Sequence, residues 1–343
     1  MVLMVANHYR SGSGLNELIF DTITFKSVYF VFITSFGKTI INSFMMITGY
    51  FMCTSSFNIR KFWKLFFEIE FYRVFFYFFF VIIGYEGFSV VSCARSILPI
   101  ESVTNNYADC FLLFYLFIPF LNILIHNLNR ANHRVLVLLL LSIYVLLGTI
   151  PWIPISFNYI TWFSCIYIIA SYLRLYPIPF LESKRNMIVI TAVLYVTSCL
   201  SVIVCRWIGE VIGREDLQFW FLSDSNKMLA VALGISSFML IKSIRIKYNR
   251  FINLVAKSTF GVLLFHSISD TMRSWLWGDV FHNLQVYETS FVYIHLLAVV
   301  VCVYIVGTLF DMGRIYFIET RFLKVWDKTC RQMLEHLQLN SRL

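Results

Sequence analysis

Charge is what this sequence has least of. Of its 343 residues only 14% are Asp, Glu, Lys or Arg, against about 25% in a soluble domain, which excludes an ordinary water-soluble fold. The eight cysteines show no C-x-x-C or paired Cys/His spacing, so a structural zinc site or a disulfide framework is disfavoured. There is no G-x-S-x-G elbow, P-loop, H-E-x-x-H, glycine-rich dinucleotide turn or paired-carboxylate signature. Soluble-type hydrolase, ATPase and metalloprotease chemistry is disfavoured with them, and no metal ligand set is read. Internal repeats, low-complexity tracts and an appended soluble domain are also missing.

What is present is apolar: 59% of residues are hydrophobic and 18% aromatic. Such a chain reads as all-α, a polytopic transmembrane helix bundle. Spans of sufficient length fall at about 28–53, 62–85, 107–125, 135–150, 158–173, 187–205, 228–241, 251–268 and 289–313, since a membrane helix needs about 20 apolar residues. Residues 1–9 add a fragment too short to span. That makes about ten helices with the first one truncated, in a membrane domain of residues 1–313. From Arg314 to Leu343 charges alternate with Ile315, Phe317, Phe322, Leu323, Val325 and Trp326, which predicts a cytoplasmic amphipathic tail over 314–343.

The net charge of +9 is of the sign that binds nucleic acid, but the basic residues sit in short clusters between spans, with no basic domain to hold a duplex. They report orientation instead. Segments 54–64, 126–134, 174–186, 242–257 and 314–343 hold 19 Lys and Arg and 4 acids; segments 10–38, 86–106, 151–157, 206–227 and 269–288 hold 8 and 11. Basic residues collect on the cytoplasmic side, so the first set is expected inside, with the carboxyl terminus. This leaves 10–27 outside with only nine residues before it, about 14 Å of helix, under half of the bilayer core. The expectation is a natural start ten to twenty-odd residues upstream, or a damaged first helix.

Ionisable residues within spans are functional candidates because they are costly there. His8, beside Asn7, lies in the first fragment, and His266 ends the span 251–268. An isolated reading of either is an interfacial or hydrogen-bonded structural imidazole. Glu68, Glu70 and Arg73 cluster in one span, with Glu70 and Arg73 placed to pair on one helix face. Asp109 and Asp311 fall near span ends, where water or headgroups reach them. The apolar stretch Phe44–Lys64 ends in Thr48-Gly49-Tyr50 and meets Arg60, Lys61 and Lys64, either a topology anchor or an anion site at the membrane face.

Four ordered stretches resemble the acyltransferase type 3 family, bacterial multispanning enzymes that O-acylate surface and exported carbohydrates. MVANHY, with His8, is similar to the end of the family's first helix; SFMMITGYF matches its apolar run ending in Ser-Gly-Tyr, with Thr48 for Ser. ADCFLLFYLFIPFLNILIHNL, through Tyr115, Pro119 and Asn122, resembles its middle segment, and STFGVLLFH its late Phe-Gly to His motif, here Phe260, Gly261 and His266. YITWFSCIYIIASYLRLYP resembles a later span ending in a basic residue, Arg174. The arginine usual upstream of the first-helix histidine is missing, and lysine replaces part of the Arg-rich motif at 60–64. Lysine lacks the bidentate fork of arginine.

The resemblance implies transfer of an acetyl or other short acyl group from acetyl-CoA or another acyl-CoA to a sugar hydroxyl, with no bound cofactor. It implies a bacterial cytoplasmic (inner) membrane location. His8 is then the expected base, His266 a residue that orients the acceptor or relays a proton, and Arg60, Lys61 and Lys64 the acyl-donor binding group. The expected partners are acyl-CoA, a carbohydrate acceptor and the lipid bilayer. The rivals are a polysaccharide flippase or small-molecule transporter, a glycan polymerase and an inactive truncated homologue.

Overall fold

In a computed structural model, residues 1–20, 24–98, 100 and 106–329 are described. Among them the chain is all helix and turn, without a strand. In order run α1 (Val2–Ser11), α2 (Leu15–Phe20), α3 (Phe25–Thr34), α4 (Gly37–Met52), α5 (Ile59–Ile82), α6 (Val90–Ile97), α7 (Tyr107–Asn127) and α8 (Arg130–Leu140). Then come α9 (Tyr159–Leu175), α10 (Pro179–Glu182), α11 (Lys184–Ile212), α12 (Met228–Ser243), α13 (Arg250–Lys257), α14 (Thr259–Ser267), α15 (Asp270–Ser274), α16 (Asn283–Tyr287) and α17 (Val292–Arg314). Polar residues at the starts explain the boundaries. Asn58, Asn106, Asn129, Asn158, Ser183, Asn249 and Ser269 each accept a bond from a first-turn backbone N–H, as N-caps do.

Each of the nine predicted intervals is helical, but length and apolarity together mark five candidate membrane spans: Phe25–Met52, Tyr107–Asn127, Arg130–Leu147, Lys184–Ile212 and Val292–Thr329. A bent pair, Arg250–Ser267 with Asp270–Val280, turns through 86° and would make a sixth. α9 and α12 are apolar but short, and α9 is buried along most of its length. In its described part, 314–329, the expected tail is helical and continuous with α17. The helix continues through Arg314 by a π-helical turn, Ile315–Glu319, and extends to Thr329. There the tilted rings of Trp326 and Phe322 pack against Trp63 and Phe67 of α5. Residues 330–343 of the expected tail lie outside the described part.

α4 packs on α9 and α12, α9 on α7, α12 on α11, and α1 on α3 and α17, with α14 also on α17. The Thr48-Gly49-Tyr50 stretch sits at the crossing of α4 and α9. A Cβ on Gly49 would fall 2.8 Å from the Ala170 Cβ and 2.9 Å from the Tyr167 Cα, so α4 and α9 meet this closely only with glycine there. Asn122 of α7 then ties the end of α4 to the middle of α9. Its Nδ2 donates to the Met52 carbonyl at 3.1 Å, and its Oδ1 accepts from the Tyr167 hydroxyl at 2.6 Å.

The two charge-alternating sets of segments occupy opposite ends of the bundle. Arg60 with Asp327 and Lys242 with Glu182 join members of the basic set, and His126 and Arg174 of that set bond the Cys53 carbonyl and the Tyr50 hydroxyl at the end of α4. Lys38 with Asp224, Thr271 with Glu86 and Asn283 with Ser13 join members of the other, and Asp279 of that set accepts from Tyr85, just past α5.

Candidate active site

His8 and His266 are 258 residues apart in sequence and in direct contact in the fold. His8 Nδ1 lies 2.9 Å from His266 Nε2, with the rings tilted by 53°. α1 and α14 bring them together. Asn7, next to His8, donates to the Thr34 carbonyl at 2.7 Å and fixes α1 against α3. On the other side Gly261 opens the α14–α17 crossing: a Cβ there would stand 2.3 Å from the Asp311 carboxyl carbon. The Phe-Gly to His spacing therefore has a packing reason, because α14 can settle on α17 and present His266 only if position 261 lacks a side chain.

The protonation pattern follows from the partners. His266 Nδ1 is 2.5 Å from the Val262 carbonyl, which can only accept, so Nδ1 carries the proton of a neutral imidazole. Its Nε2 is then an acceptor, and His8 Nδ1–H must be the donor across the 2.9 Å contact. This leaves His8 Nε2 with a lone pair and no hydrogen bond among the described residues. His266 is fully buried, whereas His8 is half-buried and lines a cavity of about 1310 Å³. The cavity wall carries amides and hydroxyls, Asn7, Ser11, Asn16, Ser92, Tyr159 and Thr271 among them.

The residues expected to bind an acyl donor lie elsewhere, at the opposite end. Arg60 makes a bidentate pair with Asp327, at 2.8 and 2.9 Å, and Lys64 pairs with Glu319 at 2.7 Å. Lys61 is exposed and makes no ion pair among the described residues. Two of the three cations therefore face carboxylates of the continued last helix. Nearby, Tyr50 has cations over its ring: the Arg174 guanidinium and the Lys242 ammonium, each 4.9 Å from its centroid.

The span that carries Glu68, Glu70 and Arg73 divides them between two sites. Arg73 does reach Glu70, at 3.3 Å, as the spacing predicts, but its shorter contact is 2.5 Å to Asp109 on α7. Glu68 faces the other way, 3.1 Å from Arg314, which also holds Asp311 at 2.7 Å and Glu319 at 2.8 Å. Tyr72 donates to Asp311 at 3.0 Å. Asp109 and Asp311 are both 0% exposed, which corrects their expected place among water or headgroups. Each is an anchor between helices, and each sits inside the bundle because a cationic partner on a neighbouring turn or helix offsets the desolvation cost.

These features define a class: an all-helical protein, among the described residues, with helices long and apolar enough to cross a membrane and a neutral histidine pair beside a polar cavity. No protein-family model, curated protein or solved structure matches the chain.

Proposed function

We propose that this chain is a multi-pass membrane O-acyltransferase of the acyltransferase type 3 kind, moving an acetyl or other short acyl group from acyl-CoA to a hydroxyl of a cell-surface or lipid-linked carbohydrate. The observation that carries the reading is the His8–His266 hydrogen bond at the wall of the cavity. A sugar hydroxyl is a weak nucleophile and needs a base at the moment of attack. His8 Nε2 takes the hydroxyl proton as the oxygen bonds to the thioester carbonyl carbon. As the tetrahedral species collapses, the carbon–sulfur bond breaks and the leaving thiolate takes the proton from His8. The acyl ester and free coenzyme A are the products, and no net proton is consumed.

His266 has a defined part in this cycle. While His8 is protonated, its Nδ1–H donates to the His266 Nε2 lone pair, a charge-assisted bond worth about 1.5–3 kcal/mol. Val262 keeps His266 in the tautomer that offers this lone pair. The cavity, at about 1310 Å³, exceeds the ~300–1,000 Å³ of ordinary small-molecule sites, and its amide and hydroxyl lining suits sugar hydroxyls. In this reading the basic end faces the cytoplasm of a bacterium and receives the donor, with Lys61 the cation left for its phosphates. About ten helices cross or enter the inner membrane.

One observation favours a transporter instead. The 86° break between Arg250–Ser267 and Asp270–Val280 borders the cavity, and broken helices are how transporters build midplane sites. The same experiment separates the two. Ester-linked acetyl on isolated surface glycan is measured by proton NMR in a deletion strain carrying the intact gene or His8→Gln at matched membrane abundance. Acetyl restored by the first and not the second supports the enzyme; an acetyl signal indifferent to the gene, with glycan export altered, favours transport.

A further inference from the structure

Resting on the acyltransferase reading, we propose that Tyr159 is a second catalytic residue of the cavity: its hydroxyl, polarised by Lys38, donates to the oxygen that turns anionic when the acyl carbonyl is attacked. Two side-chain contacts join α4 to α9 near their starts. Lys38 Nζ donates to the Tyr159 hydroxyl at 2.6 Å. One turn further in, the Trp162 indole N–H donates to Asn42 Oδ1 at 2.9 Å, and both of those residues are 0% exposed. Either pair ties the helices, but only Lys38 and Tyr159 line the cavity.

An ammonium has protons to give and no lone pair, so the Tyr159 oxygen accepts from Lys38 and its own proton must go elsewhere. Among the described residues nothing accepts that proton, which is left to the cavity. The Tyr159 ring is buried and stacks on Phe163 at 5.4 Å. Lys38 is held in turn, 3.4 Å from Asp224, while Asn42 donates to the Ser225 carbonyl beside Asp224 at 2.8 Å. A fixed, polarised donor stabilises a developing oxyanion because nothing has to reorganise as the charge appears. The base is close by. Asn7 and Gly37, the residues before His8 and Lys38, touch: a Cβ on Gly37 would fall 2.3 Å from Asn7 Oδ1. His8 and Lys38 therefore stand on adjoining stretches of one wall, and the Lys38 charge reaches the His8 ring. When His8 Nε2 takes the acceptor's proton, the new carbon–oxygen bond forms and the carbonyl π pair moves onto oxygen, where the Tyr159 O–H binds it. The pair returns as the carbon–sulfur bond breaks, and Tyr159 keeps its proton throughout.

The test uses the full chain in nanodiscs and two readouts. In the first, coenzyme A release from acetyl-CoA is followed with glycan isolated from the deletion strain as acceptor. Tyr159→Phe lowers kcat by about 10²–10³-fold, the cost of one oxyanion donor, and leaves KM for both substrates and the thermal midpoint unchanged. Lys38→Met keeps the hydroxyl without its polarising neighbour and lowers kcat about tenfold. The second readout needs no turnover. Acetonyl-CoA, a ketone analogue with a methylene between carbonyl and sulfur, carries an isotope label at its carbonyl. The infrared stretch of that carbonyl falls in frequency on binding to the intact chain; the fall is lost in Tyr159→Phe and smaller in Lys38→Met. A tie that only joins helices would move the thermal midpoint and leave the stretch alone. If the intact chain releases coenzyme A and Tyr159→Phe matches its kcat, or the stretch falls as far in Tyr159→Phe, the inference is overturned and the enzyme reading stands. If the intact chain releases no coenzyme A, the enzyme reading falls and this inference with it.

Discussion

Two of the buried polar clusters within the bundle differ in what they leave unused. Around Arg314, three carboxylates and a tyrosine hydroxyl converge on one guanidinium and one another; every group faces a partner and the cluster does not line the cavity. At His8 and His266, two neutral rings share one hydrogen bond, a backbone carbonyl fixes the tautomer, and one ring nitrogen remains free at a cavity wall. A charged, enclosed cluster holds helices together; a neutral cluster with a spare lone pair and access to solvent can do chemistry. Burial and polarity alone would not separate the two.

Substitutions can break that comparison, and the largest effect belongs to His8. His8→Gln removes the base and keeps a similar polar volume, so acyl transfer falls by about 10²–10⁴-fold while the thermal midpoint in detergent stays put; a matched loss of both would move His8 into the structural class. Next is Arg314→Gln, which leaves Glu68 without its cation and Glu319 and Asp311 with only Lys64 and the Tyr72 hydroxyl. Removing one partner of a buried ion pair costs about 3–5 kcal/mol, read as low membrane abundance and early unfolding, with activity per folded molecule retained. Gly261→Ala drives a methyl into Asp311, whose carboxylate cannot retreat while Arg314 and Tyr72 hold it. Overpacking of this sort costs about 1–3 kcal/mol. Unlike Arg314→Gln it should also lower activity, because α14 carries His266; a stability loss without an activity loss would uncouple the two clusters.

His266→Asn sharpens the distinction further. Loss of the charge-assisted acceptor should lower kcat about tenfold, in line with a hydrogen bond of roughly 1.5 kcal/mol, and leave KM for the acceptor nearly unchanged. A KM effect alone would make His266 an acceptor-binding residue. The smallest change is expected from Asp327→Asn, which frees Arg60 at an exposed pair and should move the thermal midpoint by no more than about 2 °C. If it also lowers KM for acyl-CoA, the Arg60 fork is available to the donor once its carboxylate is gone.

Much of this arrangement can be read from the residues, and the parts that cannot have identifiable causes. Apolar runs and the alternation of basic segments locate the helices and sort their ends, because both depend on local sequence. Motif order brings His8 and His266 to notice as separate candidates, but no periodicity links positions 258 apart; only the α1–α14 packing makes them one unit. Asp311 and Arg314 look like a span end because charge follows an apolar run, yet the helix continues through a π turn and keeps them inside. Glu68 and Glu70, two residues apart, point to different neighbours, which a one-face reading of the cluster overlooks.

The separation of the loops into two non-mixing groups bears on how such a protein can diversify. The bonds described between connecting segments stay at one end or the other, so residues around the cavity mouth can be exchanged without touching the end where Arg60, Lys64 and Tyr50 are fastened. A lineage could retarget what enters the cavity while inheriting its opposite face intact. Grafting the 86–106 and 269–288 segments from one such protein onto another is the corresponding engineering route.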